Sequence, residues 1–168
     1  MTKPLIDLPS KSQSPLSVHI NRNGFKESLH QVDVAVCDAD GSVILGMGDL
    51  ESVIFPRSAM KPLQSIALIE LLKTLENIHE FSDAEVSLIC ASHNGELLHT
   101  EAVRGLLGKF DISVDELVCG AHWSMHQETM VSQVRSMDKP HQVHNNCSGK
   151  HAGMLILSKL ITGKTFGY

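Results

Sequence analysis

The sequence pattern changes from strand-like to helical at residues 55–64, whose sequence is FPRSAMKPLQ. Before this segment, apolar and polar residues alternate over Leu16 to Ile20 and again over Val32 to Val36, a pattern typical of half-buried strands. Residues 38–41, with the sequence DADG, predict a turn, and Val43 to Leu45 predict a returning strand. The N-terminal part is therefore expected to contain a hairpin.

Beyond residue 61 the sequence predicts helices. Leu63 to Leu72 carries a broad apolar stripe with helical spacing, and Pro62 is tolerated because it falls in the first turn. Ser82 and Glu85 match a capping box at the start of a second helix. Further helices are predicted over Glu96 to Lys109, after Ser113, over His126 to Met137 and from Ser148 to Leu160. We expect an α+β fold, with a small antiparallel N-terminal sheet followed by a helical region.

Composition limits the class of protein. The 168 residues are 42% hydrophobic and 20% charged, which is typical of a soluble globular domain. A net charge of −5 without a dense Lys/Arg run disfavours nucleic acid and anionic membranes as partners. Residues 1–15 are expected to be a flexible leader because they contain several Pro and Ser residues, and they lack the apolar core of a secretory signal. We therefore predict a cytoplasmic protein whose four cysteines remain thiols.

Ser58 and Lys61 form a Ser-x-x-Lys motif at the predicted start of a helix. Residues three apart share one face of a helix, so the amine can reach the hydroxyl. A lysine desolvated in an apolar pocket loses its proton more easily and can act as a base toward the serine. Penicillin-binding proteins and class A β-lactamases use this motif. Ser136 and Lys139 repeat the spacing, but at a polar helix end where solvated side chains are expected.

Two further segments concentrate reactive groups. Residues 90–96, CASHNGE, end an apolar helix, and two interpretations of them stay open. Gly95 suits a helix cap and His93 could complement the helix dipole, or Ser92 could enter the same cleft as Ser58 and relay a proton. Residues 145–154, NNCSGKHAGM, place a thiol, a hydroxyl, an amine and an imidazole within five positions at a helix start.

The remaining cysteines and histidines admit a zinc site or a structural role. A zinc site is suggested by five of these residues, namely Cys119, His122, His126, Cys147 and His151. However, the sequence contains no Cys-x-x-Cys pair, and the spacing of the five fits no standard zinc finger. We predict that Cys37 and Cys90 are core thiols and that His141 and His144 lie on the surface.

Five segments, in this order, resemble the L-asparaginase II family: residues 38–41, 55–64, 90–96, 119–123 and 145–154. The resemblance extends from about Val18 to the end of the chain. It implies hydrolysis of L-asparagine to L-aspartate and ammonia, on a fold similar to serine β-lactamases and glutaminases. It further implies that Ser58 is the nucleophile, Lys61 its partner and Ser92 the second serine of the site.

The same resemblance implies a zinc ion held in part by Cys147 and Lys150. A lysine ligand must be neutral to donate its lone pair, so such a site would be pH-sensitive. Only the N-terminal half of the family pattern is matched, and a third ligand and a further lysine are expected beyond Tyr168. We therefore expect a truncated chain, weak or absent zinc binding, and assembly as a homo-oligomer or with a complementing C-terminal half. The alternatives are a glutaminase, a β-lactam-type serine hydrolase, or an inactive partner-binding module.

Overall fold

The computed structural model describes residues 11–75, 80–136 and 139–165. Residues 1–10 of the expected leader lie outside the described residues. The chain divides into two compact units, Met1–Phe55 and Pro56–Tyr168. The boundary falls inside the segment at which the sequence pattern changes. Among the described residues, no helix is both long and apolar enough to cross a lipid bilayer.

The described residues of the first unit form five strands: β1 Lys11–Ser12, β2 Leu16–Arg22, β3 Phe25–Val32, β4 Val34–Cys37 and β5 Val43–Met47. One sheet has the order β1-β5-β4, and β2 pairs with β3 in a separate ribbon. The predicted hairpin is confirmed as β4 and β5, which run antiparallel. Its turn is stabilised by the Asp38 carboxylate, which accepts the backbone N–H of Asp40 at 3.0 Å and of Ser42 at 2.8 Å.

Strand β3 was not predicted. It pairs antiparallel with β2 through a turn at Asn23 and Gly24, where φ is +49° and +83°. Two consecutive positive φ angles define the tight hairpin turn that an Asn-Gly pair favours. The dipeptide was therefore a usable signal, but the sequence of β3, FKESLHQV, does not alternate. Cys37 is exposed, so its assignment to a core was wrong.

The described residues of the second unit form five helices: α1 Lys61–Thr74, α2 Asp83–Cys90, α3 Leu97–Gly108, α4 Gln127–Ser136 and α5 Ser148–Thr162. Short 3-10 turns lie at Arg57–Met60, Val114–Glu116 and Gln142–His144. The predicted capping box at α2 is confirmed, with the Ser82 hydroxyl accepting the Glu85 N–H. Met137, the predicted end of α4, lies outside the described residues. The α+β arrangement is thereby confirmed.

Helix α5 packs against α1, α2 and α3, and its residues Leu155 and Ile156 are fully buried. Its first turn lies very close to α2. A Cβ on Gly149 would be 2.4 Å from the backbone oxygen of Leu88, a distance that no side chain can occupy. Glycine at this position therefore lets the start of α5 rest directly on α2, which places Cys147 and Lys150 beside the start of α1.

Candidate active site

Ser58 lies in the 3-10 turn Arg57–Met60, immediately before α1. The preceding Arg57 has φ +50°, the left-handed conformation that is uncommon for a residue with a Cβ. The backbone N–H of Lys61 donates to the Ser58 carbonyl. Ser58 is exposed, so its hydroxyl is accessible to a ligand.

Lys61 is the first residue of α1 and is only 3% exposed. Its amine donates to the Ser92 hydroxyl at 2.7 Å and to the Ala91 carbonyl at 3.1 Å. Within the described part of the chain, no carboxylate pairs with this amine. Two segments about 30 residues apart in sequence are thus joined by a buried amine whose partners are neutral.

Four of the predicted site residues meet at one cavity of about 250 Å³. Ser58 and Lys61 line it from the start of α1, and Cys147 and Lys150 line it from the start of α5. Arg57 and Gln64 complete its wall, and neither was predicted to belong to the site. Their signal in the sequence was only their proximity to Ser58 and Lys61.

Ser92 lines a second cavity, of about 330 Å³, between α2 and α3. The walls of this cavity are mostly apolar and include Leu88 and Leu98, with His93 and His99 among the polar residues. The hydrogen bond between Lys61 and Ser92 connects the walls of the two cavities. The structure therefore brings Ser92 to the amine of the Ser-x-x-Lys motif.

His93 is buried and has both ring nitrogens in defined roles. Its Nδ1 accepts the Gly95 N–H at 3.1 Å, so its Nε2 carries the proton and donates to the Ser148 hydroxyl at 3.0 Å. Burial, followed by nearby His99 and Lys61, lowers the pKa of His93 to about 4. At neutral pH the ring is uncharged, and His93 does not complement the dipole of α2 as a cation.

The same histidine joins two site segments. Its backbone N–H donates to the Asn146 carbonyl at 3.0 Å, and the Ser148 hydroxyl passes on a hydrogen bond to the Val143 carbonyl at 2.9 Å. The nearby Gly95 has φ +70°, and a Cβ there would lie 2.6 Å from the His144 carbonyl oxygen. Residues 92–95 are therefore held against residues 143–148 by backbone and side-chain contacts together.

Residues 119–123 support the loop that precedes α5. The Asn146 N–H donates to His122 Nε2 at 2.9 Å, so His122 Nδ1 carries the proton and donates to the Trp123 carbonyl at 2.8 Å. The Asn145 side-chain amide donates to the Gly120 carbonyl. His122 thus has a positioning role for the loop that ends at Cys147.

A zinc site requires several donor side chains that lie close together. Within residues 11–75, 80–136 and 139–165, no three His, Cys, Asp or Glu side chains cluster as a metal site. Burial raises the pKa of the Cys119 thiol, which favours its protonated form. Cys147 and Lys150 supply a sulfur and a nitrogen at one cavity, a donor pair that suits zinc but fills only half of a tetrahedral set.

Several structural assignments have clear outcomes. Ser136, in the second Ser-x-x-Lys, is exposed at the end of α4, and its hydroxyl donates to the Ser132 carbonyl at 2.9 Å, as a solvated helix end predicts. The surface assignment of His144 was wrong, because this residue is 9% exposed and burial lowers its pKa. Its Nδ1 accepts the backbone N–H of His141 at 2.9 Å. Cys90 is half-buried and packs against the core.

Comparison with known proteins identifies the family of the chain. No curated protein matches the chain. The family model described as L-asparaginase II matches residues 18–168, which include the whole second unit, most of the first unit and all the site residues discussed above. The chain therefore belongs to the L-asparaginase II family.

Proposed function

We propose that this protein is an amidohydrolase that converts L-asparagine to L-aspartate and ammonia at the cavity lined by Ser58 and Lys61. Family membership supports an asparaginase-like activity in general. The observation that carries the finer proposal is the buried Lys61 amine, which contacts the Ser92 hydroxyl and lines the same cavity as Ser58. A buried amine with neutral partners is suited to exchange protons with hydroxyl groups on either side of it.

In the proposed reaction, neutral Lys61 takes the proton of the Ser58 hydroxyl. The Ser58 oxygen then attacks the side-chain carbonyl carbon of asparagine and forms a tetrahedral intermediate. Ser92 passes a proton from Lys61 to the amide nitrogen, the carbon–nitrogen bond breaks, and ammonia leaves. Water cleaves the remaining ester to release aspartate and regenerate Ser58. The 2.7 Å contact between Lys61 and Ser92 supports the second proton transfer.

The zinc ion implied by the family would be held in this chain by Cys147 and Lys150. When bound, it would supply a Lewis acid or a structural link beside the cavity. The proposed proton transfers require only Ser58, Lys61 and Ser92.

Ammonia release from L-asparagine tests the proposal. We expect Ser58→Ala to abolish it and Ser92→Ala to reduce it about 10²- to 10⁴-fold, the usual contribution of a positioned proton donor. Ser136→Ala, at the exposed Ser-x-x-Lys, is the matched control and should leave the rate unchanged. Near wild-type turnover by Ser58→Ala would refute its role as nucleophile, and full loss in Ser92→Ala alone would transfer that role to Ser92.

Substrate comparison tests the alternatives. Glutamine and a β-lactam should be hydrolysed more slowly than asparagine if the family substrate is correct. Size-exclusion chromatography of the same preparation, with ammonia measured in each fraction, separates an active chain from an inactive partner-binding module. A soluble chain that releases no ammonia from asparagine or glutamine would refute the proposed activity for this chain.

A further inference from the structure

The cavity at Ser58 is lined by basic and neutral residues. Three of its lining residues are basic, namely Arg57, Lys61 and Lys150, and the other lining residues are Ser58, Gln64 and Cys147. None of these lining residues is an Asp or a Glu. Low-dielectric walls lined by one sign of charge attract ligands of the opposite sign. The cavity is therefore suited to a ligand that carries a negative charge.

Arg57 is a cation in this wall that is exposed to a ligand. Lys61 is buried and donates to Ala91 and Ser92. The Arg57 side chain is exposed and, within the described part of the chain, makes no hydrogen bond or ion pair. Its guanidinium offers two parallel N–H donors, the geometry that matches the two oxygens of a carboxylate.

The backbone at Arg57 adds a second, independent observation. Its φ of +50° is disfavoured for any residue other than glycine, and glycine would adopt it without strain. Non-glycine residues held in such conformations are concentrated at ligand-binding and active sites. The conformation also precedes the 3-10 turn that carries Ser58, so that Arg57 and Ser58 line one cavity as consecutive residues.

We propose that Arg57 binds the α-carboxylate of the substrate while Ser58 attacks its side-chain amide. In asparagine these two groups are three bonds apart, a separation that suits recognition by consecutive residues. The inference rests on the proposed amidohydrolase function and assigns the residue that recognises the substrate. Asparagine whose α-carboxylate is blocked, as it is inside a peptide, loses this contact with Arg57 and is expected to be a poorer substrate.

Steady-state kinetics with two substrates test this inference. The substrates are L-asparagine and its α-N-methylamide, which keeps the side-chain amide but has no carboxylate. We expect Arg57→Gln to lower kcat/KM for asparagine about 10- to 100-fold, mainly through KM, the range expected for a lost charge-assisted hydrogen bond. For the methylamide, kcat/KM should change less than about 3-fold. With asparagine, Arg57→Lys should have a kcat/KM between those of wild type and Arg57→Gln, because lysine keeps the positive charge but lacks the two parallel N–H donors of the guanidinium.

Arg135→Gln, the same change on the exposed surface of α4, is the control and should alter neither substrate. Equal losses on both substrates would show that Arg57 supports the fold or the chemistry and would overturn the inference. Unchanged kcat/KM for asparagine in Arg57→Gln would overturn it as well.

A binding measurement separates failure of this inference from failure of the proposed function. Calorimetric titration of L-asparagine into Ser58→Ala and into Ser58→Ala/Arg57→Gln requires no turnover. Tenfold or greater weakening in the double variant supports the carboxylate contact even if wild type releases no ammonia. Equal affinity in the two variants, or no binding to Ser58→Ala, would overturn it.

Discussion

Acidification is expected to destabilise the second unit through His93. In the folded protein its pKa is lowered to about 4, chiefly by burial, whereas an unfolded chain binds the same proton near pH 6.5. Above about pH 6.5 the ring is neutral in both states, and His93 adds no pH dependence. As the pH falls from about 6.5 to about 4, the unfolded state binds a proton that the folded state does not, so the free energy of unfolding decreases.

The size of this effect follows from the two pKa values. One pKa unit corresponds to about 1.4 kcal/mol, so the complete loss is about 3 kcal/mol. At pH 4.5 about 2.5 kcal/mol of it is already lost. This is a substantial part of the total stability of a small domain, which is about 5 to 15 kcal/mol.

Urea unfolding between pH 7.5 and pH 4.5 measures the effect, with Trp123, the single tryptophan of the chain, as a fluorescent reporter in the second unit. His93→Asn is the comparison, because asparagine cannot titrate but can still accept the Gly95 N–H. The variant should be less stable at pH 7.5, since it loses the donor to Ser148. Only the change with pH is compared, so contributions from His144, which is also buried, cancel.

We expect wild type to lose about 2.5 kcal/mol more than His93→Asn over this pH range. Parallel curves for the two proteins would refute the reasoning. They would mean that the imidazole accepts a proton in the folded state as readily as in the unfolded chain, and hence that the buried network of His93 and Ser148 does not form.

Three further predictions follow from the packing and the site. Gly149→Ala should lower the free energy of unfolding by about 3 kcal/mol, because its methyl group would overlap the Leu88 carbonyl. The control is Gly105→Ala on α3, where a Cβ would have no atom within 4 Å. This variant should raise the free energy of unfolding by about 0.5 to 1 kcal/mol. Urea titration of both variants distinguishes a close helix contact from a general intolerance of alanine. Lys61→Met should reduce ammonia release at least about 10³-fold without lowering the melting temperature, since it removes a buried amine while keeping an apolar stem; equal loss of activity and stability would contradict this. Purified protein should contain well below one zinc per chain by elemental analysis, and Cys147→Ser should contain less; a stoichiometry near one would show that two ligands in this chain suffice.

Local signals allowed much of the secondary structure to be predicted. The turn at residues 38–41 and the capping box at Ser82 involve groups within four residues of one another, and both form as the sequence indicates. Strand β3 escaped prediction because its polar and apolar residues do not alternate. Its only clear signal was the Asn-Gly turn that precedes it.

The residues of the candidate site were predicted, but the hydrogen bonds that join them were not. Residue type and family resemblance identified Ser58, Lys61, Cys147 and Lys150, and all four line one cavity in the structure. The amine of Lys61 was expected to reach Ser58, one helical turn away, whereas its hydrogen bonds in the structure are to Ala91 and Ser92. Spacing along a helix could not show this, because the helix α1 begins only at Lys61 and Ser58 precedes it in a 3-10 turn.

By itself, the sequence determined where the helices and the β4–β5 hairpin lie, because caps, turns and apolar spacing act over a few neighbouring residues. Only the tertiary structure decided which groups share a proton or a charge. His93 meets Ser148 across 55 residues, and Lys61 meets Ser92 across 31. Such contacts depend on how α5 packs on α1 and α2, and that packing is set by the close approach at Gly149, which has no local signature in the sequence.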